Sequence, residues 1–487
     1  MALVLGIAFG PRATHVEVRD ADTGALAASG TARHLDLGPD VDVEDPTAWW
    51  RSVVAAVTQA GEREIAALSV CGSHPGLVLL DGAGAVLRPV QPWAAAHGER
   101  DAARLRQVLG ADRWAQRAGM LPTATTPVTR LAWLRRTDPE AYARIGAVLL
   151  PHDWLTYRMA GRPVTDRGGA SLTGAWSPRG EGWIREVLAE LAPAGQAEEW
   201  GRRLPAVLGP AERADWLTAP VYELLGLRGR PLVGPGTGEA MAVALAMGVR
   251  PGRAALSLGD STTVLVGAEA PVSDPTGAVR SRADATGRHL VMSTAGGGAS
   301  LIEVVSSLLE LDADGLADAA LATPPGAAGM VLVPGVPGRA GAVLTGLRAG
   351  GGRGPLARAA FDGVACAALD ALDLVTEAGA EWHPDEPLRL AGPVGGLAAH
   401  AQIIATLAGR PVRPAPPVSL AAAGACVQAA AVLANAAPED VAEAWDLVGP
   451  TDVEPEEDAD RLDRRLAHAE ERARQRRALL APSGSEV

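Results

Sequence analysis

The sequence predicts an α/β protein built from two related domains. Its 487 residues exceed what one hydrophobic core usually holds and fit two domains of ordinary size. Short apolar runs typical of buried strands alternate with helical patterns in the N-terminal half. The strand, glycine turn and strand that open the chain recur at residues 255–266, with Gly10 matching Gly259. Such a repeat indicates two domains of the same kind.

The composition excludes several classes of function. A net charge of −13 argues against a nucleic-acid-binding or anionic-membrane surface, because both need a basic face. The chain contains no lysine, so all 44 basic residues are arginine, and a P-loop lysine or Schiff-base lysine is excluded. A bound nucleotide would need backbone amides, hydroxyls or arginine for its phosphates. Cys71, Cys366 and Cys426 lie far apart in apolar runs and are expected to be buried free thiols.

The apolar segments favour a cytoplasmic protein. No apolar run reaches the roughly 20 residues that a bilayer-crossing helix needs. The N-terminus has no positive region before its short apolar run, so a signal peptide is not expected. Together with the negative charge, this predicts no nucleic-acid partner and no membrane partner.

The N-terminal half begins with strands and then becomes mainly helical. Strand patterns cover residues 3–10, 14–20, 25–32, 65–70 and 77–81. A helix is predicted for residues 46–60, with proline in its first turn and one apolar face. Residues 98–160 are predicted to be mainly helical.

Two glycine loops in the C-terminal half precede predicted helices. Thr294–Ser300 leads into a helix at 301–311. A strand from Leu388 is followed by the loop Gly392–Gly396 and a further helix. A glycine loop before a helix N-terminus suits the phosphate or ribose edge of a nucleotide, and a simple tight turn is the alternative. The Arg/Glu-rich tail at 454–480 predicts a solvated outer helix.

Taken in order, these pieces resemble the FGGY carbohydrate kinases, most closely their xylulokinase branch, from Leu3 to about Asn435. The matching segments are Asp45–Trp50, Leu79–Asp81, Val86–Trp93, Leu149–Trp154, Arg158–Gly161, Ala255–Gly259 and Gly424. Their order and spacing together are specific. The resemblance implies two actin-like (ribonuclease-H-like) domains, with residues 1–248 on the sugar side and 249–487 on the nucleotide side. Sugar and ATP would meet in the cleft between them.

The resemblance also implies an activity and its ligands. The expected reaction is ATP-dependent phosphoryl transfer to a sugar or polyol hydroxyl, with ATP and Mg²⁺ as cofactors. The expected partner is a small sugar, polyol or related molecule, and a homodimer is left open.

The catalytic acids of the family are absent from the matching positions. Ala8 stands where an N-terminal aspartate helps to place the Mg-nucleotide, and Thr237 stands where a carboxylate acts as base. The sugar-contacting segments are also changed, to Gly72–Pro75 and Trp93–Ala96, and the second phosphate loop is Gly259–Thr262. A general base is typically worth roughly 10²–10⁴ in rate, and threonine is not ionised at neutral pH. The usual mechanism of the family therefore does not apply unchanged.

Candidate site residues follow from the matched positions. The predicted cofactor-binding residues are Gly10, Gly259, Asp260, Ser261, Thr262, Gly296, Gly297, Gly392, Gly395 and Gly396. The predicted substrate contacts are Ser73, His74, Trp93 and His97. Thr237 and Glu239 are the catalytic candidates, and Asp260 is also a candidate Mg²⁺ ligand because its oxygens suit a hard cation. Glu239 lies two residues past the missing base at a helix start, where a carboxylate also complements the helix dipole.

Three functions remain open at this point. The first is a sugar kinase with rearranged acids, in which Glu239 acts as base and Asp260 holds Mg²⁺. The second is a catalytically inactive pseudokinase that binds a small molecule or regulates a partner. The third is an enzyme of different chemistry in the same cleft that uses His74, His97 or Thr237. A lone histidine in a loop is more often structural, which weighs against the third.

Overall fold

The computed structural model describes residues 2–34, 45–61, 63–72, 76–90, 98–335, 341–348, 352–416 and 419–480. The chain divides into two compact units. The first unit consists of Met1–Arg250, Gly267–Val291 and Val418–Leu447, and the second of Pro251–Val266, Met292–Pro417 and Val448–Val487. Assignment of a sugar side and a nucleotide side at residues 248 and 249 stays a prediction.

The secondary structure mixes strands and helices throughout, as the sequence predicts. The strands are β1 (Leu3–Phe9), β2 (Ala13–Asp20), β3 (Leu26–Arg33), β4 (Ala67–Gly72), β5 (Val78–Leu80), β6 (Ala147–Leu149), β7 (Val164–Asp166), β8 (Trp176–Ser177), β9 (Gly182–Trp183), β10 (Ala206–Leu208), β11 (Asp215–Trp216), β12 (Leu232–Val233), β13 (Thr237–Gly238), β14 (Ala254–Leu258), β15 (Thr262–Ala268), β16 (Val279–Ala283), β17 (His289–Ala295), β18 (Val331–Pro334), β19 (Ala342–Thr345), β20 (Leu388–Ala391) and β21 (Val412–Pro414).

The helices are α1 (Pro46–Ala60), α2 (Glu99–Leu109), α3 (Ala111–Ala118), α4 (Pro127–Thr137), α5 (Pro139–Ala143), α6 (Pro151–Ala160), α7 (Arg167–Leu172), α8 (Arg185–Leu191), α9 (Ala197–Gly201), α10 (Ala219–Leu224), α11 (Glu239–Ala246), α12 (Ala299–Leu309), α13 (Ala313–Leu321), α14 (Arg353–Glu377), α15 (Ala398–Ala408), α16 (Leu420–Ala434), α17 (Pro438–Trp445) and α18 (Arg461–Leu480).

The main sheet of the first unit has the strand order β11-β12-β4-β1-β2-β3, and β13 also pairs with β4. β1 runs antiparallel to β2 and parallel to β4, and β13 runs parallel to β4. In this register Ala8 pairs with Cys71, and Cys71 pairs with Thr237. Because parallel strands end at the same edge of a sheet, the loops that follow these three residues leave the sheet together.

The strand at the start of the chain forms because it is apolar on both faces. Val4, Leu5, Ile7 and Phe9 are all buried, as expected for a central strand covered by helices on both sides. Helix α1 covers the same residues as predicted, and the Asp45 side chain caps it by accepting the Thr47 N–H. These local predictions are confirmed.

Helices α11 and α16 of the first unit pack closely because the contact contains a glycine. A Cβ added at Gly424 would lie 1.8 Å from the Ala242 carbonyl oxygen, so no larger residue fits at this position. Gly6 of β1 is similarly close to α16, since an added Cβ would lie 2.1 Å from the Ala422 oxygen. The alanine-rich sequence of α16 therefore allows it to approach both α11 and the sheet.

The second unit begins with the hairpin that the sequence repeat predicts. β14 runs antiparallel to β15 and parallel to β20, as β1 runs antiparallel to β2 and parallel to β4. The predicted repeat is therefore confirmed as a structural one. Helix α12 starts two residues before its predicted start, and α18 starts at Arg461, seven residues after its predicted start.

Within the described part of the chain, no helix alone is long and apolar enough to cross a membrane. Leu420–Ala434 and Pro438–Trp445 meet that criterion only as a pair, and the two helices are bent by 120° from each other.

Candidate functional site

The position of the missing N-terminal aspartate is packed among small apolar side chains. Ala8 is 6% exposed and belongs to a cluster with Cys71, Ala242, Ala422 and neighbouring alanines of α16. Position 8 therefore contributes no polar group to the carboxyl edge of the first sheet. Burial, and secondarily the nearby Glu239 charge, raise the pKa of the Cys71 thiol well above its usual value, so this cysteine stays a neutral thiol.

Thr237, at the predicted position of the base, is hydrogen-bonded to a carboxylate that the sequence analysis did not identify. Thr237 has no exposed surface, and its Oγ1 donates a 2.7 Å hydrogen bond to Asp166 Oδ2. The other carboxyl oxygen, Oδ1, accepts the Gly169 N–H at 2.5 Å and so caps helix α7. A carboxylate is thus held directly behind the Thr237 hydroxyl.

Burial changes the proton affinity of this carboxylate. Asp166 is 2% exposed, and burial raises its pKa to about 6 against the opposing effect of the hydrogen bonds from Thr237 and Gly169. The neighbouring positive charge of Arg167 also opposes the rise. Burial thus moves the pKa of Asp166 toward neutral pH, the range in which a carboxylate is suited to acid–base catalysis.

Two more titratable groups lie beside this pair. His152 is buried, and burial lowers its pKa to about 3, so the ring is neutral at physiological pH. Its Nε2 lies 3.3 Å from Asp153 Oδ1. Burial raises the pKa of Asp153 well above its usual value, and the Asp166 charge adds to this effect. We call His152, Asp153, Asp166 and Thr237 the Asp166 cluster.

The loop that carries Thr237 is held by a buried glutamine. Gln428 of α16 donates from Nε2 to the Gly236 carbonyl oxygen at 3.2 Å, and the Ser69 hydroxyl donates to Gln428 Oε1. Gly236 has φ +79°, and an added Cβ there would lie 3.0 Å from Thr156 Oγ1. The backbone at the predicted base position is therefore fixed from two sides.

Glu239 is the first residue of α11, and it is exposed. Its charge contributes to the raised pKa of Cys71, which places it near that thiol. A carboxylate in the first turn also stabilises a helix through the dipole. A catalytic role for Glu239 stays a prediction.

In the second unit, two of the predicted nucleotide loops pack against each other. The Gly259 carbonyl oxygen accepts the Ala299 N–H at 2.7 Å, and the Ser300 hydroxyl donates to the Asp260 carbonyl oxygen at 3.0 Å. Gly298 has φ +114°, and an added Cβ there would lie 2.3 Å from the Gly259 oxygen. The β14–β15 turn is thereby joined to the N-terminus of α12.

The third glycine loop meets the same strand end. Gly392 has φ +103°, and an added Cβ would lie 2.4 Å from the Leu258 carbonyl oxygen. His400 of α15 donates from Nδ1 to the Val394 carbonyl oxygen at 3.0 Å. This hydrogen bond attaches the loop to α15. Since β14 and β20 are parallel, three glycine-containing segments converge at the carboxyl end of β14. We call this the β14 site.

The remaining predicted residues have different outcomes. Ser73, His74, Trp93 and His97 lie outside the described residues. Gly10 forms the β1–β2 turn of the first unit, where its N–H donates to the Ala13 oxygen at 3.0 Å. The Asp260 side chain is exposed at the β14–β15 turn. Across the described ranges, no group of three or more His, Cys, Asp or Glu side chains is arranged to hold a metal ion. The role of Asp260 as a ligand stays a prediction.

The fold and these two sites define a sugar kinase-like protein with two actin-like domains. A family model described as the FGGY family of carbohydrate kinases, N-terminal domain, matches residues 3–245. The xylulose kinase of Streptomyces rubiginosus is 37% identical over 475 residues, which cover 95% of each chain. The chain belongs to the FGGY family of carbohydrate kinases, as the resemblance implied.

Two further comparisons agree with this assignment. The xylulose kinase of Streptomyces coelicolor is 38% identical over 461 residues and 92% of each chain. The crystal structure of xylulose kinase from Bifidobacterium adolescentis superposes with a TM-score of 0.80 at 31% identity, over 97% of this chain and 99% of that one. The similarity thus extends through both compact units.

Proposed function

We propose that this protein is an ATP-dependent kinase that phosphorylates a hydroxyl of xylulose or of a related sugar or polyol. The observation that carries the proposal is the convergence of three glycine-containing segments at the carboxyl end of β14. Xylulose is the first substrate to test, because the similar proteins from both Streptomyces species are xylulose kinases.

The β14 site has the chemistry that a nucleotide's phosphates need in a chain without lysine. Helices α12 and α15 begin beside it, and a helix N-terminus attracts anions through its dipole and its free N–H groups. Thr262 Oγ1 at the edge of the site is buried and has no hydrogen-bond partner among the described residues. The exposed Asp260 carboxylate would supply an oxygen ligand to Mg²⁺, and that ion would neutralise the charge of the bound triphosphate.

The replacement of both family acids, by Ala8 and Thr237, predicts slow turnover and not a complete loss of activity. A kinase gains most of its rate from positioning and electrostatic stabilisation of the transferred phosphoryl group. Loss of a general base typically costs roughly 10²–10⁴ in rate, which leaves measurable transfer if sugar and nucleotide both bind.

A screen of the purified full chain tests this proposal. Thermal unfolding is followed with and without Mg-ATP and with each member of a panel of pentuloses, hexoses and polyols, and ADP release is then measured over the same panel. We expect a rise in melting temperature with Mg-ATP and sugar-dependent ADP release. A protein that shows neither effect with any panel member contradicts the proposal.

One observation favours a second candidate function, a family member that binds ligand without catalysis. Ala8 lies in an apolar cluster and offers no substitute for the aspartate that places the Mg-nucleotide. Such a protein would show a sugar-dependent rise in melting temperature but no sugar-dependent ADP release. The same screen therefore separates the two functions.

A further inference from the structure

We infer that Asp166 serves as the proton acceptor of the reaction and acts through the Thr237 hydroxyl. The inference rests on the proposed kinase function and adds to it a residue that fills the role of the missing base. Asp166 is a positioning residue, because it contacts the substrate only through the Thr237 hydroxyl.

The geometry of the pair supports a relay. Thr237 Oγ1 donates its own proton to Asp166 Oδ2 at 2.7 Å, which leaves the lone pairs of Oγ1 available to accept another hydrogen bond. Thr237 also occupies the position of the family's base, in register with Cys71 of β4. A substrate hydroxyl that donates to Oγ1 would complete a two-step proton relay that ends at the Asp166 carboxylate.

The reaction balances along this chain. The sugar hydroxyl gives its proton to Thr237 Oγ1 while the Thr237 proton passes to Asp166 Oδ2. The sugar oxygen forms a bond to the γ-phosphorus of a nucleoside triphosphate, and the bond from that phosphorus to the β–γ bridging oxygen breaks. The electron pair leaves with the diphosphate. Asp166 then returns its proton to solvent when the products depart.

The charged surroundings of Asp166 suit a proton acceptor. Burial raises its pKa to about 6, so the group is mainly ionised at neutral pH and still holds a proton well enough to accept one. The positive charge of Arg167 opposes this rise in pKa. The Arg167 guanidinium is itself hydrogen-bonded to the carboxylate of Glu181. Of the other two groups in the cluster, His152 is neutral, and Asp153 has a raised pKa.

The side chain of Met241 lies close to the Thr237 hydroxyl. A Cβ added at Gly168 would lie 3.0 Å from Met241 Cγ and 3.2 Å from Thr237 Oγ1, so both groups adjoin the backbone of α7. Methionine is unbranched and changes rotamer readily. Because Thr237 has no exposed surface, the relay requires Met241 to move aside before a substrate hydroxyl can reach Oγ1.

The variants Asp166→Asn, Thr237→Val and Thr237→Ser test the relay. Asparagine retains an oxygen that accepts the Gly169 N–H, so the helix cap survives while the proton acceptor is lost. Valine keeps the shape of threonine without the hydroxyl, and serine keeps the hydroxyl. Asp138→Asn is the matched control, because Asp138 also caps a helix, α5, through the Ala141 N–H and is not a member of the Asp166 cluster.

The readout is kcat/KM against pH for phosphorylation of the sugar that supports turnover. We expect kcat/KM of the unmodified protein to decrease as the pH falls through an apparent pKa of about 6, which gives the profile an acid limb. In Asp166→Asn and Thr237→Val, kcat/KM should fall roughly 10²-fold or more, and its decrease at acidic pH should disappear. Asp138→Asn should keep both the rate and the acid limb, whereas Thr237→Ser should retain the acid limb because it retains the hydroxyl.

The possible failures are distinguishable. An Asp166→Asn variant that turns over at the original rate with an unchanged acid limb overturns the relay but leaves the kinase function intact. A folded Asp166→Asn variant is verified by its melting temperature. Absence of turnover in the unmodified protein overturns the kinase function itself, and the relay falls with it.

Discussion

The Thr237 hydroxyl and the Asp166 carboxylate share a 2.7 Å hydrogen bond although they lie 71 residues apart in the chain. Thr237 stands on β13 next to Cys71 of β4, whereas Asp166 ends β7 and begins α7. The bond therefore joins the carboxyl edge of the main sheet to a separate strand and helix. It brings a carboxylate to Thr237, the residue predicted to stand at the position of this family's base.

The first prediction concerns stability and pH. The Asp166 pKa is raised in the folded state, so its contribution to stability is fully present below its unfolded pKa and is lost as pH rises through about 6. Asparagine at this position does not titrate. The free energy of unfolding of the Asp166→Asn variant, relative to that of the original protein, should therefore increase by up to roughly 3 kcal/mol between pH 4 and pH 8.

Urea unfolding at several pH values measures this difference. His152 remains in both proteins with its pKa lowered by burial, so its titration largely cancels in the comparison. Loss of the Asp166 charge also removes one cause of the raised pKa of Asp153, and this adds to the measured difference. A gap between the two proteins that is constant from pH 4 to pH 8 would show that Asp166 has an ordinary pKa.

The second prediction concerns restoration of the N-terminal acid. Ala8→Asp places a carboxylate among Cys71, Ala242 and Ala422, where no hydrogen-bonding partner of the cluster compensates it. Burial of an uncompensated polar group costs on the order of 2–7 kcal/mol, so the variant should be markedly less stable at pH 8 and partly recover in acid. Ala27→Asp on the exposed face of β3 is the control and should change little. Equal melting temperatures for the two variants would contradict the observed packing.

The third prediction concerns the β14 site. Gly392 has φ +103° and no room for a Cβ beside Leu258, whereas a Cβ at Gly396 of the same loop would meet nothing within 4 Å. Gly392→Ala should therefore weaken Mg-ATP binding at least tenfold, which corresponds to about 1.4 kcal/mol, while Gly396→Ala should weaken it less because its Cβ strains no backbone. Calorimetric titration of both variants measures the effect. Equal affinities in the two variants would remove the β14 site from the nucleotide's binding surface.

The fourth prediction concerns the anchor of that loop. His400 is neutral because burial lowers its pKa to about 3, and its Nδ1–H holds the Val394 carbonyl oxygen. His400→Phe keeps an aromatic ring against Phe361 but removes the donor. We expect weaker Mg-ATP binding with little change in any sugar-induced rise of melting temperature. A variant that binds Mg-ATP like the original protein would show that this hydrogen bond is structural only.

Local features of the fold could be predicted from the sequence because they depend on neighbouring residues. The apolar strand Leu3–Phe9, the capped helix Pro46–Ala60 and the repeated hairpin at Gly259 all follow from short patterns. The same holds for the glycine loops, since their backbone requirements are read from the residue type itself.

The Asp166 cluster could not be predicted in this way. Its members come from β7, α6 and β13, and only tertiary packing brings them together. The sequence offered one weak signal, an aspartate directly before Arg167-Gly168-Gly169, which is typical of a helix N-cap and says nothing about Thr237. His152 likewise looked like an ordinary residue of a helix start.

The most direct test of sugar kinase activity is a ³¹P NMR time course of the full-length protein with Mg-ATP and D-xylulose. We expect a new phosphate monoester signal that grows in step with ADP. That signal should nearly vanish in the Asp166→Asn variant. Release of ADP with inorganic phosphate alone, or no change in the ATP signals over hours, would contradict phosphorylation of xylulose by this protein.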